Sequence, residues 1–274
     1  MNAWNNIYQT FNPIAFHIFS IPVHWYGIMY VLALLSALTA GKYFMKKDKL
    51  DFSSDQMDNY FIYVEIGVIL GARLGYILFY DTQTLYYLSH PWQIFNPFQN
   101  GEFVGIRGMS YHGAVIGFVI GSYLYSKKHK VSLGMIMDLV ALAIPLGFVF
   151  GRIGNFLNQE LIGRQTDLPW GILVDGTLRH PSQLYEALLE GIGVFLVVYI
   201  YRKYKKFSGE LILVYAMSYG IFRTIAEIYR APDIQIGYVC CGVITQGQVM
   251  SVGMTLIAFA LWIFFKQKSK RELI

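Results

Sequence analysis

Long apolar stretches separated by short polar ones dominate the chain. Seven of them can cross a hydrocarbon core of about 30 Å, at roughly 25–41, 57–80, 111–126, 132–151, 182–201, 209–227 and 248–265. The pattern predicts an all-α polytopic membrane protein with seven transmembrane helices, forming one membrane-embedded domain over 1–274. Two connections are longer than the others. Residues 81–110 carry Tyr86, Tyr87, Trp92, Phe95, Phe98 and Phe103, which suits an interfacial arm at headgroup depth. Residues 152–181 mix Gly, Pro, Asn and charged residues and predict a small non-helical cap. The second and third spans repeat glycine at every fourth position, Gly67, Gly71, Gly75 and then Gly113, Gly117, Gly121. Each series falls on one helix face, where backbones can approach closely.

Composition strengthens the membrane reading, and charge orients it. The 274 residues are 55% hydrophobic and only 14% charged, against about 25% charged in soluble domains. The net charge of +5 does not point to nucleic acid, because the positive residues lie in short clusters between apolar runs. Lys42, Lys46, Lys47 and Lys49 follow the first span, and Lys127, Lys128 and Lys130 the third. Arg202, Lys203, Lys205 and Lys206 follow the fifth, and Lys266, Lys268, Lys270 and Arg271 the seventh. These clusters hold every lysine, so the positive-inside rule makes them cytoplasmic and places the N-terminus outside. The first residues lack the basic, apolar and cleavage pattern of a removable signal. The only cysteines, Cys240 and Cys241, are adjacent, and such a pair implies neither a disulfide framework nor a metal cluster.

The remaining basic residues, Arg73, Arg107, Arg152, Arg164, Arg179, Arg223 and Arg230, are all arginine and lie in outer loops or within spans. A permanently charged planar fork recognises phosphate or carboxylate bidentately, so the set predicts an anionic headgroup site. Taken singly, each arginine could instead pair with a structural carboxylate. The densest polar segment runs from Gly151-Arg152 through Asn155 and Glu160 to Gly163-Arg164. Arg223, Glu227 and Arg230 are spaced to share one helical face, with one carboxylate between two arginines leaving a net positive site. Charges at such depth face the protein interior or a wet cavity. Glu186 and Glu190 are placed to pair with these arginines, while Arg73 and Glu65 read as structural. His112 opens the third span, where a base could reach substrate, and Tyr26 could donate a hydrogen bond to a lipid. No nucleotide loop, zinc spacing or nucleophile elbow is present, so neither cofactor nor metal is expected.

Residues 151–166 match the pattern G-R-x-G-N-F-x-N-x-E-x-x-G-R-x-T at every specified position. In this, and in His24-Trp25-Tyr26-Gly27, Gly108-Met109-Ser110-Tyr111-His112-Gly113 and Arg179-His180-Pro181-Ser182-Gln183-Leu184-Tyr185-Glu186, the chain resembles the bacterial prolipoprotein diacylglyceryl transferases. The resemblance implies a seven-span protein of the inner membrane, with a periplasmic N-terminus and cap and a cytoplasmic C-terminus. It also implies a reaction: the diacylglyceryl group of phosphatidylglycerol moves to the lipobox cysteine of a prolipoprotein. The functional residues it implies are Tyr26, His112, Arg152, Asn155, Glu160, Gly163, Arg223, Glu227 and Arg230, with Arg164 in the same signature. A phospholipid or anion transporter and a lipid-binding scaffold are the rival functions. The first would show repeated halves with broken helices, and no internal repeat is seen.

Overall fold

The computed structural model describes residues 3–19, 21–99, 101–103, 105–106, 108–232 and 237–271. A 3-10 turn (Ile7–Gln9) and a hairpin of β1 (Ile14–Ile18) with β2 (Ile21–His24) lead into α1 (Trp25–Lys47) and α2 (Ser54–Phe79). The short α3 (Thr84–Ser89) and a hairpin of β3 (Phe98–Gln99) with β4 (Glu102–Phe103) precede α4 (Tyr111–His129) and α5 (Leu133–Leu157). A third hairpin, β5 (Ile172–Val174) with β6 (Thr177–Arg179), is followed by α6 (Ser182–Glu186), which runs through a π-helical segment (Ala187–Gly193) into α7 (Val194–Tyr201). Then come α8 (Glu210–Ala226), a hairpin of β7 (Tyr238–Cys240) with β8 (Ile244–Thr245), and α9 (Gln246–Arg271). The chain divides into two compact units, Met1–Leu50 with Met137–Ile274, and Asp51–Ile136.

The fold is mostly helical, and among the described residues five helices are long and apolar enough to cross a membrane. They are α1, α2, α5, the continuous Ser182–Tyr204 and α9. The predicted third and sixth spans coincide with α4 and α8, which fall outside that set. Helix α8 has 17 residues, and α4 carries Lys127, Lys128 and His129 in its last turn. Exposed Val31 and Leu35 on α1, Ile62 and Ile66 on α2, and Leu256 and Ile257 on α9 are what helices solvated by lipid present.

In the second unit the two glycine rows face each other. A methyl group on Gly67 would stand 2.6 Å from the Gly117 carbonyl oxygen, and one on Gly75 would stand 2.7 Å from the Gly113 Cα. Both are closer than side chains allow, so only glycine lets α2 and α4 meet here. Arg73 is buried and holds the arm. Its Nε donates to the Ile94 carbonyl, Nη1 donates to the Gly108 carbonyl at 3.2 Å, and its guanidinium lies 5.2 Å from the Tyr87 ring centroid. This is the support role expected of it.

In the first unit the N-terminal turn packs on the segment after α5, burying Tyr8, Phe156 and Ile172 with Trp4, Ile7 and Phe11 around them. The predicted cap thus contains a hairpin and borrows the N-terminus for its apolar side. The start of α8 is anchored by two buried acids. Asp138 accepts from the Leu211 and Gly209 amides at 2.7 and 2.9 Å and from Lys205 Nζ at 3.1 Å. Glu210 accepts from Tyr201 at 2.7 Å, from Trp262 at 2.9 Å and from the Lys206 and Phe207 amides. Amides at a helix start that lack intrahelical partners are thereby satisfied.

Candidate active site

The other end of α8 gathers the predicted arginines around three carboxylates. Arg152 Nη1 lies 2.9 Å from Glu186 Oε2, and Arg223 Nη1 lies 3.3 Å from the same oxygen and 3.2 Å from Glu190 Oε1. Arg223 Nη2 bonds Glu227, and Arg230 Nη1 stands 3.6 Å from Glu186 Oε1. Glu186 and Glu190 are fully buried, and each arginine is almost so. Glu186 ends α6 and Glu190 lies in the π-helical segment that follows, and both face Arg223.

This geometry corrects three sequence expectations. The fourth span was expected to end at 151, but α5 continues to Leu157, because nothing breaks the helix until Gln159 and Leu161 turn left-handed, with φ of 58° and 56°. Arg152 and Asn155 are therefore held on a rigid helix end rather than in the cap. Arg230 does not share a helical face with Arg223, since α8 stops at Ala226. It sits instead in a β-bridge with Gly163. Nor is the site net positive: Glu186 and Glu190 complete three carboxylates against three guanidiniums. The spacing of Glu186 and Glu190 suits partners for arginine, but only the meeting of α5, α6 and α8 makes Glu186 the shared centre of three guanidiniums.

The ion pairs on Glu186 are close but loosely aligned, whereas Arg223 makes directed bonds to Glu190 and Glu227. Both Glu186 oxygens and Glu190 Oε2 are buried without a well-directed hydrogen bond, and so is Arg152 Nε. A guanidinium N–H left unmatched in a buried site is a ready donor for another oxygen. Nearby, Arg152 Nη1 donates to Asn155 Oδ1 at 3.4 Å, and Asn155 Nδ2 donates to Glu160 Oε1 at 2.7 Å. Gln183 bonds the Glu160 carbonyl and, at 3.2 Å, the Tyr8 hydroxyl. Burial pushes the Tyr8 pKa up to about 12, so it stays a neutral partner. Arg164 Nε donates to the Arg230 carbonyl at 2.8 Å, and its guanidinium lies 5.4 Å from the Tyr238 ring centroid. Arg179 Nη1 donates to the Gly163 carbonyl at 3.3 Å. Arg164 and Arg179 therefore brace the loops. A side chain at Gly163 would run into His180 and the Tyr229 carbonyl.

Glu227 caps the arrangement. Thr245 donates to it at 3.0 Å, and a methyl on Gly247 would stand 2.6 Å from its Oε1. The start of α9 thus comes against a carboxylate, which its amide dipoles favour. Tyr26, half-exposed in the first turn of α1, lies over Gly154, where a methyl would stand 3.3 Å from its ring. His112 belongs to the second unit. It follows the N-cap Ser110 of α4, is exposed, and its Nδ1 lies 3.1 Å from the Tyr80 hydroxyl. Arg107 falls outside the described residues.

A family model described as prolipoprotein diacylglyceryl transferase matches residues 13–264. The chain belongs to that family. It is 60% identical over 272 residues to the phosphatidylglycerol–prolipoprotein diacylglyceryl transferase of Campylobacter hominis, covering 99% of this chain and 97% of that relative. To the protein of the same name from Campylobacter jejuni serotype O:23/36 it is 61% identical over 268 residues, 98% of each chain. The Wolinella succinogenes protein of that name is 58% identical over 271 residues, 99% of each. As a diacylglyceryl transferase family member, the chain carries its arginine–glutamate cluster well inside the matched span.

Proposed function

We propose that this chain transfers the diacylglyceryl group of phosphatidylglycerol to the lipobox cysteine thiol of a prolipoprotein, releasing glycerol phosphate. The observation that carries the reading is the Arg152–Arg223–Arg230 cluster held on buried Glu186 and Glu190. A soluble-type ion network would satisfy itself; this one keeps three guanidiniums close, with an unmatched donor on Arg152.

A free thiol has a pKa near 8.5 and is only a few per cent ionised at neutral pH. His112 takes its proton, and Tyr80 orients the imidazole. The thiolate attacks the glyceryl carbon, a carbon–sulfur bond forms, and the bond from that carbon to the phosphate oxygen breaks. Its electron pair leaves on glycerol phosphate. Charge grows on that oxygen in the transition state, where preorganised donors lower the barrier most. Arg223, with Arg152 and Arg230, supplies them. Tyr26 and Asn155 orient the headgroup, Glu160 fixes Asn155, and Glu227 holds the Arg223 fork. Gly163 and Arg164 keep the Arg230 strand in register. No cofactor or metal enters the scheme.

The membrane topology belongs to the same reading. Seven spans, including α4 and α8, place the lysine ends in the cytoplasm of the inner membrane. The N-terminus, the arm, the cap and the arginine site then face the periplasm. Mass analysis of a lipobox peptide incubated with the protein and phosphatidylglycerol tests the function. A thioether-linked diacylglyceryl adduct is expected. Lipid binding or exchange without an adduct would favour a scaffold or a transporter instead.

A further inference from the structure

The hairpin of β7 and β8 carries chemistry that the transfer reaction does not use. Neighbouring side chains on a strand point to opposite faces, so adjacent cysteines ordinarily diverge. Here the turn reverses that. Cys241 adopts a left-handed backbone, with φ of 56°, and the register shifts between Tyr238 and Cys240. The Val243 amide closes the turn on the Cys240 carbonyl at 3.2 Å. As a result the Cys240 and Cys241 sulfurs face each other 2.7 Å apart, and both residues are exposed. A non-glycine residue in the left-handed region is held there at a cost of about 1–3 kcal/mol. What that conformation achieves is the meeting of two thiols.

We infer that Cys240 and Cys241 form a redox-active vicinal dithiol, a modification site that takes a small disulfide oxidant and closes to an eight-membered disulfide ring. One thiolate attacks a sulfur of the oxidant, forming a mixed disulfide and releasing the first oxidant thiol. The second thiolate then attacks the protein sulfur of that mixed disulfide and releases the second oxidant thiol. Two electrons pass from the cysteines to the oxidant, and the two protons leave with its thiols.

The position gives the pair access to such an oxidant. The hairpin follows the end of α8 opposite Lys205 and Lys206, so on the topology proposed above, on which this step rests, it lies on the oxidising side. Its root also reaches the arginine cluster, through Tyr238 beneath Arg164 and Thr245 on Glu227.

The test uses the purified full-length chain treated with oxidised glutathione, then with a maleimide, and read by peptide mass. Closure predicts a peptide that has lost two hydrogens and carries neither glutathione nor maleimide. Cys240→Ser and Cys241→Ser should each instead accumulate one stable glutathione adduct, because no neighbour resolves it. Two glutathiones per chain, chain-to-chain dimers, or two maleimides on the oxidised wild type would each overturn the inference. A transfer assay on the same sample keeps this outcome separate from that of the proposed function.

Discussion

The two ends of α8 both bury carboxylates, and they treat them differently. At the start, Asp138 and Glu210 accept well-directed bonds on all four oxygens, mostly from backbone amides and fixed side chains. At the finish, Glu186 touches three guanidiniums, yet neither of its oxygens makes a well-aligned hydrogen bond. The first arrangement closes on itself and leaves nothing for a ligand. The second holds guanidiniums in place around Glu186 and leaves the buried Arg152 Nε without an acceptor. Burial of charge alone therefore does not mark a site; burial with unspent hydrogen-bonding capacity does.

Substitutions should separate the two ends. Glu186→Gln removes the shared anion and leaves three guanidiniums under-compensated. It should cost about 3–5 kcal/mol of stability and abolish transfer, read by thermal unfolding and by peptide mass. Asp138→Asn should cost about 2 kcal/mol, since its bonds to amides and Lys205 are charge-assisted. Transfer per folded molecule should stay within about twofold, because nothing at the start of α8 touches substrate. A tenfold loss there would erase the distinction between the ends.

Gly154→Ala places a methyl 3.1 Å from the Met29 Cβ and 3.3 Å from the Tyr26 ring. Displacing Tyr26 should slow transfer about tenfold, about 1.4 kcal/mol, with KM for phosphatidylglycerol raised. The smallest effect concerns His180, packed between Tyr185 and Tyr229, where burial lowers its pKa below 6.5. The unfolded chain takes that proton first. Stability is then complete above about pH 6.5 and falls as pH drops through the folded value. His180→Gln should flatten that part of the unfolding profile.

Much of this was legible in the residues. The glycine rows of α2 and α4 announce a close backbone contact because a spacing of four keeps each row on one face. Arg152, Asn155 and Glu160 announce themselves by an unbroken signature. What sequence could not supply is tertiary. The GRIGNF run is polar enough to read as a loop, yet its residues favour helix once Phe156 is buried on Tyr8. Arg230 fits a helical spacing, but α8 ends first. The role of Glu186 depends on three elements converging, and the meeting of Cys240 with Cys241 depends on one left-handed residue. Neither leaves a periodic trace.

Phosphate recognition by the Arg223 fork is read out by transfer from Arg223→Lys in a phosphatidylglycerol nanodisc, with folding checked in the same sample. The charge persists and the planar fork is lost. Transfer per folded molecule should fall by about 10²–10³. Unchanged turnover would contradict phosphate recognition by this end of α8.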